Sequence, residues 1–202
     1  LKLLLATHNE HKRREFARLL ARFAAGEGWE VEELPAAVVL PPEVGDTFAA
    51  NALGKARAAA RATGRPSIAD DSGIEAAALK GAPGVRSARY AGEGASDEEN
   101  LQKLLREVPA GGELRYVCAI AYVDPGDGTE HVVEGSCSGR LAAEPRGEGG
   151  FGYDPAFIPD DGPPGDDGPR ALTMAELSDE QKDSISHRGR AARALLEWLT
   201  GG

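Results

Sequence analysis

From Leu114 to Val123 the chain alternates strictly, yet both sets of alternate positions are largely apolar. One set holds Leu114, Tyr116, Cys118, Ile120 and Tyr122; the other holds Arg115, Val117, Ala119, Ala121 and Val123. A strand of this kind is buried on both faces, so it needs neighbours in a sheet and a covering layer on each side. The turn signal Asp124-Pro125-Gly126-Asp127-Gly128 follows, and residues 130–138 read as the antiparallel partner. Covering helices are legible from their period. Phe16, Leu19, Leu20 and Phe23 fall at i, i+3, i+4 and i+7, which predicts a helix over 11–23. An Ala-rich helix is expected from Thr47 to Ala62. Ser96-Asp97-Glu98-Glu99 is a capping box that opens a helix carrying Leu101, Leu104 and Leu105. Ala192, Leu195, Leu196 and Leu199 mark a C-terminal helix over about 186–200. Shorter strands are expected over 2–6, 29–34 and 67–69, the last followed by a polar turn at Asp70-Asp71-Ser72-Gly73. An acidic Pro/Gly loop is expected over 160–169. The order of elements gives a mixed α/β fold, and with no internal repeat and no linker, 1–202 reads as one domain.

Charge narrows the function classes. The formal net charge is -10, which argues against a binder of nucleic-acid polymers, since these need a basic face. A small anionic substrate remains compatible, provided cations or a metal gather locally. The cysteines, Cys118 and Cys137, show no metal-binding spacing and read as reduced core thiols, with a disulfide as the alternative. No apolar run approaches a membrane span, and a cytoplasmic protein is expected.

Four segments carry candidate chemistry. Thr7-His8-Asn9-Glu10-His11-Lys12 joins a strand to a helix and places a hydroxyl, an amide and an ammonium beside helix N-terminal amides, which suits a polyphosphate. It lacks the Walker pattern, and Thr7 or Asn9 would equally serve as a plain helix cap. The adjacent carboxylates of Asp70-Asp71-Ser72-Gly73 repel each other, a cost that a divalent cation removes; Glu43, in another irregular segment, could supply a second carboxylate. The alternative is a turn capping the next element. In Gly149-Gly150-Phe151-Gly152-Tyr153-Asp154-Pro155, glycines flank aromatics, so that Phe151 could stack on a base and Asp154 meet a base or ribose donor, or the segment could be a tight turn with a core aromatic. Lys182, a mobile point charge, precedes His187 and Arg188 at a helix start, where the two side chains could donate to carbonyl oxygens or form a solvated helix end.

Taken jointly, these segments resemble the inosine/xanthosine triphosphate pyrophosphatases, the Ham1-like proteins, from Leu3 to about Leu199. The resemblance rests on Ala6-Thr7-His8-Asn9 to Lys12, Ala69 to Ile74, Gly81-Ala82-Pro83-Gly84-Val85 to Tyr90, Phe151 to Pro155, and Lys182 to Arg188. It implies an elongated, two-lobed α/β fold with a long central mixed sheet and a nucleotide cleft between the lobes. It implies an Mg2+-dependent homodimer that cleaves ITP, dITP or XTP to the monophosphate and pyrophosphate, cleansing the nucleotide pool. By the same resemblance Asp71 is the general base and, with Glu43, a metal ligand. The segment Thr7 to Lys12 holds the phosphates and Ser72 contacts substrate. Phe151, Gly152, Tyr153, Asp154, Lys182, His187 and Arg188 bind the nucleotide and its base. Two departures stand out: Ala49 and Ala50 occupy positions where relatives often carry an acid, and His8 stands where Gly is common.

Overall fold

The computed structural model describes residues 2–23, 30–164 and 171–201. The expected strand start at Trp29 and the 165–169 part of the acidic loop lie outside them. In chain order the elements are β1 (Lys2–Leu5), α1 (Glu10–Phe23), β2 (Glu30–Glu33), α2 (Phe48–Thr63), β3 (Ser67–Ala76), α3 (Asp97–Glu107), β4 (Glu113–Val123), β5 (Glu130–Leu141), β6 (Phe157–Pro159), α4 (Asp179–Ile185) and α5 (His187–Leu199), with short 3-10 turns between some of them. The strands form a six-stranded sheet in the order β2-β1-β3-β4-β5-β6. It is mixed: β1 pairs in parallel with both β2 and β3, while β5 and β6 are antiparallel. The turn between β4 and β5 is closed by the Asp124 amide on the Thr129 carbonyl at 2.9 Å.

The chain divides into two compact units, and it passes from one to the other inside β3, β4 and β5 and near the start of α5. The first unit comprises 1–71, 118–135 and 190–202. Its core joins Leu3 and Leu5 of β1, Phe16, Leu19 and Leu20 of α1, Ile120 of β4 and Leu195 of α5. The second unit comprises 72–117 and 136–189. Its core joins Ile74 of β3, Leu101 and Leu104 of α3, Leu114 and Tyr116 of β4, and Phe157 of β6. The apolar face of β4 that looked continuous in sequence therefore serves two cores, with Cys118, Ile120 and Tyr122 in the first and Leu114 and Tyr116 in the second. Both cysteines are free and buried.

Two helix starts follow from local chemistry alone. The Thr47 hydroxyl caps α2 by accepting from the Ala50 amide at 3.1 Å, and Ser96 with Glu99 forms the expected capping box of α3. One expectation fails. Asp70-Asp71-Ser72-Gly73 is not a turn but the middle of the ten-residue strand β3. Side chains alternate across a strand, so adjacent carboxylates leave it in opposite directions, and the repulsion expected of a turn is relieved. Strand β6 was not expected at all. Among the described residues no helix is long and apolar enough to cross a membrane.

Candidate active site

In the first unit, β3 delivers Asp70 and Asp71 among lysines. Asp70 is fully buried, and Lys12 from the first turn of α1 reaches its Oδ2 at 3.1 Å. Asp71 is 4% exposed, and its Oδ2 accepts from Nδ2 of Asn51 on α2 at 2.8 Å. Asn51 also accepts from the Gly45 amide at 2.8 Å, so one amide ties the Asp71 carboxylate to the segment that carries Glu43. A Cβ on Gly45 would come within 2.8 Å of the Asn51 Oδ1, so the approach needs glycine. Lys55, one turn along α2 from Asn51, ion-pairs with Glu43, with side chains only 10% and 29% exposed. Burial, and then the nearby charge of Glu43, push the Asp71 carboxyl above its usual range, against the pull of Lys55, Lys12 and the Asn51 hydrogen bond.

The strand-to-helix turn before α1 caps that helix. The Thr7 hydroxyl accepts from the Asn9 amide at 3.1 Å, and the Asn9 Oδ1 accepts from the Lys12 amide at 3.0 Å. His8, Asn9, Glu10 and His11 are exposed. The Glu10 carboxylate is engaged by Arg13 at 2.8 Å and Arg14 at 3.2 Å of its own helix. Lys12 is thus the residue of this segment that the structure brings to the β3 carboxylates.

In the second unit Asp154 is the hub. Its carboxylate is 3% exposed, and its Oδ2 accepts from Lys182 Nζ at 2.8 Å and from the Phe151 amide at 2.9 Å. Its Oδ1 accepts from the Tyr116 hydroxyl at 3.0 Å. Gly150 sits at φ +70, and a Cβ there would lie 2.1 Å from the Asp154 Oδ2, so the loop closes over this carboxylate only with glycine. Lys182 and Arg188 both place their cations over the Phe151 ring, at 5.4 and 5.7 Å from its centroid. Arg188 donates to the Ser72 hydroxyl at 2.8 Å, and the His187 ring stacks on Tyr116. The Tyr153 hydroxyl donates to the Ser87 carbonyl at 2.7 Å, and the Gly152 amide donates to Asp97 at 3.0 Å. Lys182 is therefore not a mobile charge, and the His187-Arg188 pair is not a solvated helix end. Lys182, His187 and Arg188 are 4%, 5% and 2% exposed. The α4–α5 junction is tight because Gly189 admits the Asp183 carbonyl, which would lie 2.1 Å from a Cβ.

Comparison with known proteins gives the family of the chain. Residues 3–198 match the Ham1 family. The chain belongs to the Ham1 family. It is 52% identical over 171 residues to the dITP/XTP pyrophosphatase of Cutibacterium acnes, covering 83% of this chain and 78% of that protein. It is 48% identical over 210 residues to the dITP/XTP pyrophosphatase of Geobacillus kaustophilus, covering 99% and 96%. The solved structure of a HAM1 protein from Coxiella burnetii matches with a TM-score of 0.83 at 38% identity, over all of both chains.

Reasoning from motifs missed two residues that the structure brings to the candidate carboxylates, Asn51 and Lys55. A signal for them exists. On α2 the buried stripe is Phe48, Ala52, Ala56, Ala59 and Ala60, and Asn51 and Lys55, four apart, lie buried within it. A lysine and an amide on the apolar face of a helix call for partners inside the fold. The Ham1 metal assignment also fits. Glu43 is near enough for its charge to raise Asp71, a repulsion that a divalent cation would relieve. Among the described residues no group of three metal-ligating side chains is assembled, so a bound cation would complete its shell with water and substrate oxygens, as Mg2+ prefers.

Proposed function

We propose that this chain hydrolyses the non-standard purine nucleotides ITP, dITP and XTP to the monophosphate and pyrophosphate, using Mg2+, and so cleanses the nucleotide pool. The observation that carries the reading is the cluster around Asp71, a buried carboxylate held by the Asn51 amide with the Lys12–Asp70 and Lys55–Glu43 ion pairs beside it. The Asn51 hydrogen bond holds this carboxylate in place, where it can serve as a general base. Asp71 takes a proton from water as the water oxygen bonds to the α-phosphorus. The bond from that phosphorus to the α–β bridging oxygen breaks, and pyrophosphate leaves with the electron pair. Lys12 and Lys55 offset the charge of the leaving group. Glu43 and Asp71 would hold Mg2+, which supplies charge neutralisation at the phosphate oxygens.

The residues around Asp154 are assigned to the base. ITP and XTP present a 6-carbonyl, which His187, Arg188 or neighbouring amides can address as donors, whereas the 6-amine of ATP sets donor against donor. Rejection of GTP must involve its 2-amino group. The reading takes residues 1–202 as one domain, and the protein as a cytoplasmic homodimer that binds no nucleic-acid polymer. Replacing Asp71 with Asn tests the chemistry. Turnover of XTP should fall by roughly 10²–10⁴. Because burial and Glu43 disfavour its ionised form, a neutral isostere should leave the metal-free protein at least as stable as wild type. Near-wild-type turnover in a folded variant would remove Asp71 from the mechanism.

A further inference from the structure

Tyr116 belongs to none of the motifs that mark the site. It lies on β4 and is 6% exposed. Its ring is nearly parallel to the His187 imidazole, with centroids 4.5 Å apart and an interplanar angle of 8°. The same ring meets Phe157 at 4.6 Å and 46°. Phe157 is itself seated over Gly139 of β5, where a Cβ would approach the Phe157 ring to 2.7 Å and the Ile158 carbonyl oxygen to 2.3 Å. At its far end the Tyr116 hydroxyl donates to the Asp154 Oδ1, the carboxylate whose other oxygen holds Lys182 and the Phe151 amide. One phenol side chain therefore braces groups from two separate pieces of chain, the loop that ends at Asp154 and the first turn of α5.

We propose that Tyr116 is a positioning residue for base selection. Its ring fixes the plane of the His187 imidazole, and its hydroxyl fixes Asp154 and, through it, Lys182 and the Phe151 loop. The proposal rests on the assignment of these residues to the base. Discrimination by hydrogen-bond mismatch works only when the donors are unable to turn away from the wrong substrate, because a donor free to rotate leaves no unpaired group behind. Tyr116 supplies that rigidity through its contacts with His187 and Asp154.

Two variants separate positioning from packing. Tyr116→Phe keeps the ring and its volume but removes the hydroxyl; Tyr116→Leu removes the stack as well. Steady-state kinetics with ITP, XTP, GTP and ATP at saturating Mg2+ are compared with the thermal midpoint of each protein. For Tyr116→Phe the expected change is a rise in KM for ITP and XTP of about ten-fold, larger than the fall in kcat, as for loss of a hydrogen bond to a charged group. For Tyr116→Leu the ratio of kcat/KM for ITP over ATP should shrink by a further factor of about three to ten, the worth of a ring stack. If the Leu variant does not fold, the Phe variant decides. Wild-type KM values and base ratios in the folded variants would overturn the proposal. So would an equal loss on all four nucleotides that follows the melting midpoint, which is the mark of packing alone. The underlying base assignment is judged separately, from the wild-type protein: no preference among the four nucleotides there would remove the assignment itself.

Discussion

Lys55 is a cation buried beside carboxylates. Burial works against its charged form, but the charges of Asp70, Glu43 and Asp71 outweigh burial and lift its pKa above the ordinary lysine value of 10.5. A folded-state pKa above the unfolded one stabilises the fold at every pH below 10.5, and the contribution fades only as pH rises through the raised value. At working pH Lys55 is thus a fixed positive charge in a carboxylate pocket. Lys55→Met removes it and leaves Glu43 and Asp71 with one cation fewer. In metal-free buffer the expected loss is about 2–4 kcal/mol, as for breaking a mostly buried ion pair, measured by urea unfolding. Mg2+ should restore more stability to this variant than it adds to wild type, because the metal takes over the neutralisation. An unchanged midpoint without metal, or an Mg2+ response no larger than that of wild type, would argue against the pocket as described.

Helix α4 has only seven residues, too few to persist without help, and it carries Lys182. Its start is held by a full capping box, in which the Ser178 hydroxyl accepts from the Gln181 amide at 3.2 Å and the Gln181 side chain accepts from the Ser178 amide at 2.9 Å. Helix α3 has the same device at Ser96 but carries none of the residues assigned to substrate. Ser178→Ala and Ser96→Ala should each cost about 1 kcal/mol in chemical denaturation. Ser178→Ala should raise KM for XTP more than Ser96→Ala does, since α4 carries Lys182 itself whereas α3 reaches the assigned residues through Asp97 on the Gly152 amide. Equal KM values in the two variants would detach α4 from substrate binding. The comparison also indicates what could be read in advance. Capping boxes and apolar periods depend on neighbours three or four residues apart, so α1, α2, α3 and α5 were legible in outline. Strand β3 was misread because Asp-Asp-Ser-Gly is turn chemistry when no partner is in view; Lys12 and Asn51, far away in sequence, make those carboxylates acceptable in a strand. Strand β6 has three residues, ends in a proline and exists only by pairing with β5. Asn51 and Lys55 escaped because an Ala-rich helix was read for its period and not for the polar residues on its buried face.

At the scale of the molecule, the notable fact is that the chain builds two cores and passes between their units within strands that carry site residues or lead to them. Asp71 closes the first unit's share of β3 and Ser72 opens the second's. The phosphate and metal chemistry is assigned wholly to the first unit, and the base chemistry to the second. Turnover and base choice should therefore fail independently. The overall charge of -10 leaves local cations and a bound metal to attract an anionic substrate. The most direct test is pyrophosphate release by the wild-type protein from ITP, XTP, GTP and ATP, with and without Mg2+. Rapid release of pyrophosphate with the monophosphate is expected from ITP and XTP, little from GTP and ATP, and loss of all release when Mg2+ is chelated. Equal rates on the four nucleotides, or release of inorganic phosphate with the diphosphate, would contradict the proposed function.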